Sequence, residues 1–212
     1  LMGIVLRRNT CRISGEPLVP LFSLGDLYLS GFLTKDVQID PSQKVPLEMM
    51  LAPKSGLVQL AHTAPSDLMY REYWYRSDTN ESMVEELKQI ATSVSRLMRA
   101  SADDLFIDIG CNDGTLLSHL PKDTIRIGYD PNDYKDISQK YANLIVNDYF
   151  NAEAFRRSPF KDRRAKVITS IAMFYDLESP IDFMNDISKV LSENGVWIFE
   201  QSYLVTMLEM KA

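Results

Sequence analysis

Residues 104–212 predict an α/β domain built on a parallel sheet, and three observations predict it. Short apolar runs alternate with helically patterned stretches, the rhythm of strands joined by crossover helices. The first run leads straight into a glycine-bearing turn, Gly110-Cys-Asn-Asp-Gly114. Acidic residues stand at or just after the ends of three successive runs, as Asp108, Asp130 and Asp148.

The expected strands are Leu105–Ile109, Ile125–Tyr129, Leu144–Val146, Val167–Ile171 and Val196–Phe199, each a compact apolar segment bounded by polar or turn residues. Between them, 133–141 and 181–191 carry helical patterning, the second with Phe183, Met184, Ile187, Val190 and Leu191 on one side. Ahead of the sheet, Met83, Val84, Leu87, Ile90, Ala91, Val94, Leu97 and Met98 recur at helical spacing behind an Asn80 cap. Residues 1–75 read differently: prolines at 17, 20, 41, 46, 53 and 65 interrupt short apolar runs, which predicts a small loop-rich lobe with short strands. The expected organisation is therefore a lobe over 1–75, a linking amphipathic helix over 76–103 and the α/β domain over 104–212.

The chain has 212 residues, 45% of them apolar and 25% charged, which is ordinary globular composition. Its formal charge of −6 argues against a nucleic-acid binder working through phosphate neutralisation. No apolar run is long enough for a membrane span and no signal peptide is legible, so the expected location is the cytoplasm. Cys11 and Cys111 lie too far apart in sequence and context to suggest a disulfide framework. Oligomeric state is not legible.

The turn at Gly110–Gly114 lets backbone amides approach a nucleotide-like ligand. Its glycines stand four apart rather than in the G-x-G-x-x-G pattern of a dinucleotide site, and a pyrophosphate would meet Asp108 and Asp113 badly. A cationic sulfonium amino acid would not. The plain alternative is a βα turn with glycine for steric reasons. Twenty residues after Gly110, Asp130 ends the second strand, where a carboxylate can accept both hydroxyls of a ribose. Asp148, beside Tyr149 and Phe150, is placed to face an adenine amino group.

With these motifs the chain resembles the class I S-adenosylmethionine-dependent methyltransferases, a Rossmann-like family, and within them the sugar C-methyltransferases of deoxysugar pathways. The resemblance rests on Gly56–His62, on Tyr73-Trp-Tyr-Arg-Ser77 through Asn80, on Phe106–Leu117, on Met173-Phe-Tyr-Asp176 and on Gly195–Tyr203. It implies S-adenosylmethionine as cofactor, with Asp108, Gly110, Asn112 and Gly114 at its methionine and ribose end, Asp130 on the ribose and Asp148 near adenine. Tyr75, Ser77 and Asn80 would close over the cofactor, and Ala172, Met173 and Phe174 would border the methyl-transfer channel. The substrate implied is a small molecule, a nucleotide-linked keto-deoxysugar methylated on carbon through an enolate. Tyr175, Glu200 and Tyr203 are the candidate catalytic groups, and Gln201 a further polar group on the substrate side.

Two departures from the family stand out. Its N-terminal lobe resembles a zinc module built from two Cys-x-x-Cys pairs, but here the segments read Cys11-Arg-Ile-Ser14 and Ala52-Pro-Lys-Ser55, so no metal is expected. The lobe is then expected to fold on burial of Leu18, Leu21, Phe22, Leu27, Leu29 and Phe32, or against the larger domain. The family's sheet has seven strands, of which five are legible, so the sheet is expected to stop after the fifth, short of the family's general base. Rival readings are a small-molecule O-methyltransferase and a non-catalytic module that keeps only the cofactor pocket. An exocyclic-amine methyltransferase is disfavoured because its Asn/Asp-Pro-Pro-Tyr stretch is replaced by Ala172-Met-Phe-Tyr-Asp176.

Overall fold

The computed structural model describes residues 5–29, 44–71 and 74–211; Phe32, Tyr73 and Ala212 lie outside the described residues. The chain divides into two compact units, Leu1–Trp74 with Glu178–Pro180, and Tyr75–Leu177 with Ile181–Ala212. No helix among the described residues is long and apolar enough to cross a membrane.

The first unit carries β1 (Leu6–Arg7), β2 (Val19–Tyr28), β3 (Lys44–Leu51), β4 (Val58–Leu60), β5 (His62–Thr63) and a one-turn helix, α1 (Ser66–Tyr70). β2, β3 and β4 form an antiparallel sheet in that order, and β1 pairs with β5. Two expectations need correcting. At ten residues, β2 is not a short strand. Nor is its apolar content buried: Leu21, Phe22 and Leu27 are 46%, 39% and 41% exposed. Among the described residues β2 is an edge strand, paired only with β3, and its Pro20 cannot donate to a ladder. What this unit does bury is Cys11, Met50, Ala52 and Ala61, with Glu16 and Gln59.

The second unit opens with α2 (Glu81–Leu97), and the helix expected as a linker is thus part of this unit. Asn80 caps it, its Oδ1 accepting from the amides of Ser82 (3.1 Å) and Met83 (3.3 Å). Leu87, Ala91 and Val94 are the buried positions of the helix, spaced as one face requires, whereas Leu97 is 72% exposed.

There follow β6 (Leu105–Ile109), α3 (Thr115–His119), β7 (Ile125–Tyr129), α4 (Lys135–Ser138), β8 (Leu144–Val146), α5 (Ala152–Arg156), β9 (Ala165–Ile171), α6 (Pro180–Val190), β10 (Leu191–Glu200) and α7 (Leu204–Met210). The sheet is wholly parallel, in the order β10-β9-β6-β7-β8. Both faces are covered, which is why its strands read as continuous apolar runs. Leu105, Ile107 and Ile109 join Phe155, Phe183, Ile187 and Val190 on one face, while Phe106 and Val167 pack with Leu87, Ala91, Val94 and Leu117 on the other. The helix expected over 133–141 is one α-turn continued as a 3-10 turn, Gln139–Tyr141. α6 ends one residue early because Leu191 already pairs with Ala165; the register then shifts before Val196 meets Val167. Met184 of α6 is 44% exposed, so it is not on the buried face.

Candidate cofactor site

The glycine-bearing turn sits where β6 passes into α3, at the carboxyl end of the sheet's middle strand. Gly110 and Gly114 both have left-handed backbone, at φ +75° and +83°. Each is also crowded. A Cβ on Gly110 would meet Met173 Cγ at 3.2 Å, and one on Gly114 would meet the Ser138 backbone at 3.1 Å. Between them Asn112 adopts φ +49° without being glycine, a conformation that costs about 1 kcal/mol.

Hydrogen bonds hold that conformation. The Asn112 amide donates to Asp130 Oδ2 (2.8 Å), and Asp130 Oδ1 accepts from the Asn132 amide (2.9 Å). The Asn112 side chain reaches the other way: Nδ2 donates to the Tyr75 carbonyl (2.9 Å), while Oδ1 accepts from the amides of Ser77 (3.2 Å) and Asp113 (2.9 Å). Buried Asp113 accepts from the Asp78 amide (2.8 Å) and from the Thr115 hydroxyl (2.6 Å). The segment 75–78 is therefore pinned to the glycine turn by two consecutive side chains.

The acids are placed by the strands. Asp108 is paired in register with Thr169 of β9, whose Oγ1 donates to Asp108 Oδ1 (2.7 Å). Burial pushes Asp108 up to about 7; the Thr169 hydroxyl restrains the rise and the charge of nearby Asp130 adds to it. Asp130 is also raised by burial, with the Asn132 and Asn112 amides opposing and Asp113 adding repulsion. Burial and mutual repulsion thus disfavour ionisation of both carboxylates together.

The structure brings most of the cofactor-site residues expected from the sequence to this end of the sheet. Ala172 follows β9 in left-handed backbone, φ +53°, its amide donating to the Glu200 carbonyl (2.8 Å), and Met173 lies against Gly110. Phe174 packs into an aromatic cluster, its ring centroid 5.0 Å from Trp197 and 5.4 Å from Phe199. Asn80 Oδ1 is committed to the α2 cap. Asp148 follows β8, is exposed, and accepts from the Tyr149 amide (2.8 Å). Of the catalytic candidates, Tyr175 and Glu200 follow or end β9 and β10, and Tyr203 precedes α7 at 67% exposure.

Sequence reasoning passed over three contributors. Thr169 was signalled by being polar inside an apolar strand, Val167-Ile-Thr-Ser-Ile171. Asn147 donates through Nδ2 to the carbonyls of Asp130 (3.1 Å) and Asn132, joining the loops after β7 and β8. Asp78, through its backbone amide, had no side-chain signal at all.

Residues 61–208 match the family described as "Methyltransferase domain", and residues 11–70 match one described as "Putative zinc binding domain". Among curated proteins the chain is similar to the C-methyltransferase NovU of Streptomyces niveus, 21% identical over 213 residues, covering 99% of this chain and 51% of that protein. The chain thus spans about half the length of the curated relative it matches. Similar solved structures include the plantazolicin methyltransferase BpumL in complex with SAH (17% identity, TM-score 0.45, 59% of this chain and 48% of that one). Another is a SAM-dependent methyltransferase from Geobacter sulfurreducens in complex with S-adenosyl-L-homocysteine (16% identity, TM-score 0.39, 52% of this chain and 47% of that one). With the domain match running over 61–208 and a five-stranded parallel sheet carrying the glycine turn, the chain belongs to the methyltransferase-domain family.

Proposed function

We propose that this chain provides the cofactor-binding part of a methyltransferase that methylates carbon in a small molecule, a nucleotide-linked keto-deoxysugar. One observation carries the reading: Asp108 and Asp130 stand at the carboxyl ends of adjacent parallel strands beside a turn whose two left-handed glycines bring the backbone close to Met173 and Ser138. Bound S-adenosylmethionine would supply an electrophilic methyl group. Asp130 would accept the ribose hydroxyls, and Asp108, ionised by a cationic neighbour, would face the methionine end. Gly110, Asn112 and Gly114 would present backbone to the ligand, Asp148 would serve the adenine, and Tyr75, Ser77 and Asn80 would border it.

Carbon as the acceptor atom is supported by the similarity to a C-methyltransferase along nearly the whole chain. Carbon becomes nucleophilic only when a proton alpha to a ketone is removed, so a base is required. Tyr175, Glu200 and Tyr203, at or after the ends of β9 and β10, are the polar groups of this chain we assign to the acceptor's side. The acidic balance of the chain favours a small molecule over nucleic acid, and two unpaired buried cysteines suit the cytoplasm.

Calorimetry with S-adenosylhomocysteine tests the site. Asp130→Ala should weaken binding by about 1.5–3 kcal/mol, the loss of a charged acceptor for two hydroxyls. Affinity unchanged within about twofold would remove Asp130 from the site. Labelled S-adenosylmethionine with a panel of nucleotide-linked keto-deoxysugars tests the acceptor; label on oxygen rather than carbon would overturn the carbon assignment.

A further inference from the structure

Two turns of the first unit repeat one another. In 11–16 the Cys11 amide donates to the Glu16 carbonyl (2.8 Å) and the Gly15 amide to the Cys11 carbonyl (2.9 Å). In 52–57 the Ala52 amide donates to the Leu57 carbonyl (2.8 Å) and the Gly56 amide to the Ala52 carbonyl (2.9 Å). Gly15 and Gly56 have matching φ of +70° and +75°. The pair of turns has the form in which a zinc binding domain offers two ligands from each, two residues between them. Those positions are Cys11, Ser14, Ala52 and Ser55.

The positions converge, since Ser55 Oγ lies 3.7 Å from Cys11 Sγ, but the donors do not fit zinc. One thiolate remains, Ala52 has no donor atom, and neutral hydroxyls are weak ligands for a soft-leaning cation. Among the described residues no three His, Cys, Asp or Glu side chains are grouped to hold a metal. His62 is on β5, its Nδ1 4.0 Å from Glu48 Oε2.

A different group spans the turns. Glu16 is 9% exposed, and its carboxylate accepts from the amides of Lys54 (2.8 Å, Oε2) and Ser55 (2.8 Å, Oε1) and from the Ser14 hydroxyl (2.9 Å, Oε1). A buried carboxylate of the first turn thus takes the two amides at the tip of the second, in charge-assisted bonds about twice as strong as neutral ones. Gln59 adds a second tie, its Oε1 accepting from the Arg12 amide (2.9 Å). We infer that Glu16 has taken over the joining role of the zinc ion, so that this unit is a metal-free form of a zinc module, cross-linked by a carboxylate.

The experiment uses the full chain grown with zinc, dialysed against chelator and measured by elemental analysis and amide exchange. The expected result is well under one zinc per chain, with the Lys54 and Ser55 amides protected in wild type and exchanging tenfold or more faster in Glu16→Gln, which keeps the side chain's size. About one zinc per chain, or unchanged protection in the variant, would overturn the inference. Should Glu16→Gln fail to fold, a second chain carrying Ser14→Cys, Ala52→Cys and Ser55→Cys with Glu16→Ala decides. It should bind cobalt with the visible absorption of a tetrahedral thiolate site and regain protection at residues 54 and 55 with zinc. Absence of cobalt binding would show that the twin turns are not a former metal site.

Discussion

At the scale of single residues, Asp108 holds the most consequential chemistry. Its carboxyl is ordinarily ionised above about pH 4 in an unfolded chain, whereas burial lifts it to about 7 in the fold. The folded chain without ligand therefore binds more protons than the unfolded one between those values, so this group's contribution to stability falls as pH rises through that window and is level above it. A cationic ligand beside Asp108 has the opposite preference and favours the ionised form. Binding of S-adenosylmethionine should accordingly strengthen several-fold from about pH 6 to about pH 8, by calorimetry, and Asp108→Asn should abolish this part of the slope. A slope identical in wild type and variant would show that Asp108 does not meet the ligand's charge. Asn112 is the complementary case. Its left-handed backbone is held by bonds to Asp130, Tyr75 and Ser77, none of which is near it in sequence.

Among the elements, α2 shows how far periodicity reaches. Apolar spacing located the helix, and Asn80 located its start. Periodicity did not distinguish Leu87, which packs on the sheet at 6% exposure, from Leu97, which stands in the last turn at 72%. Leu87→Ala should destabilise the chain by about 2–5 kcal/mol and Leu97→Ala by less than about 0.5, measured by denaturant unfolding. Equal effects would contradict the packing described for α2. β2 makes the reverse point: Leu21, Phe22 and Leu27 are apolar, but on an edge strand of a small sheet composition does not secure burial.

For the molecule as a whole, the cofactor site proposed above draws on three loops at one end of a parallel sheet, so ligand binding there should stabilise the second unit by linkage. S-adenosylhomocysteine at about a hundred times its dissociation constant should add about 2.7 kcal/mol. Exchange should slow at the amides of residues 110–114, 130 and 132, and Asp130→Ala should cut the added stability to about 0.3–1.3 kcal/mol at that concentration and weaken the protection accordingly. Protection elsewhere, with none in these loops, would move the ligand away from the glycine turn. The sequence by itself determined the five strands, the fold class, the glycine turn and the succession Asp108, Asp130, Asp148, because a parallel sheet buried on both faces leaves continuous apolar runs that stand out from the turns and the acids near their carboxyl ends. Only the tertiary structure decided that Thr169 restrains Asp108, that Asn147 joins two loops and that Glu16 spans two turns. Each of those contacts links residues that no local periodicity relates, so they come into being only when strand order and turn geometry bring distant segments to hydrogen-bonding distance.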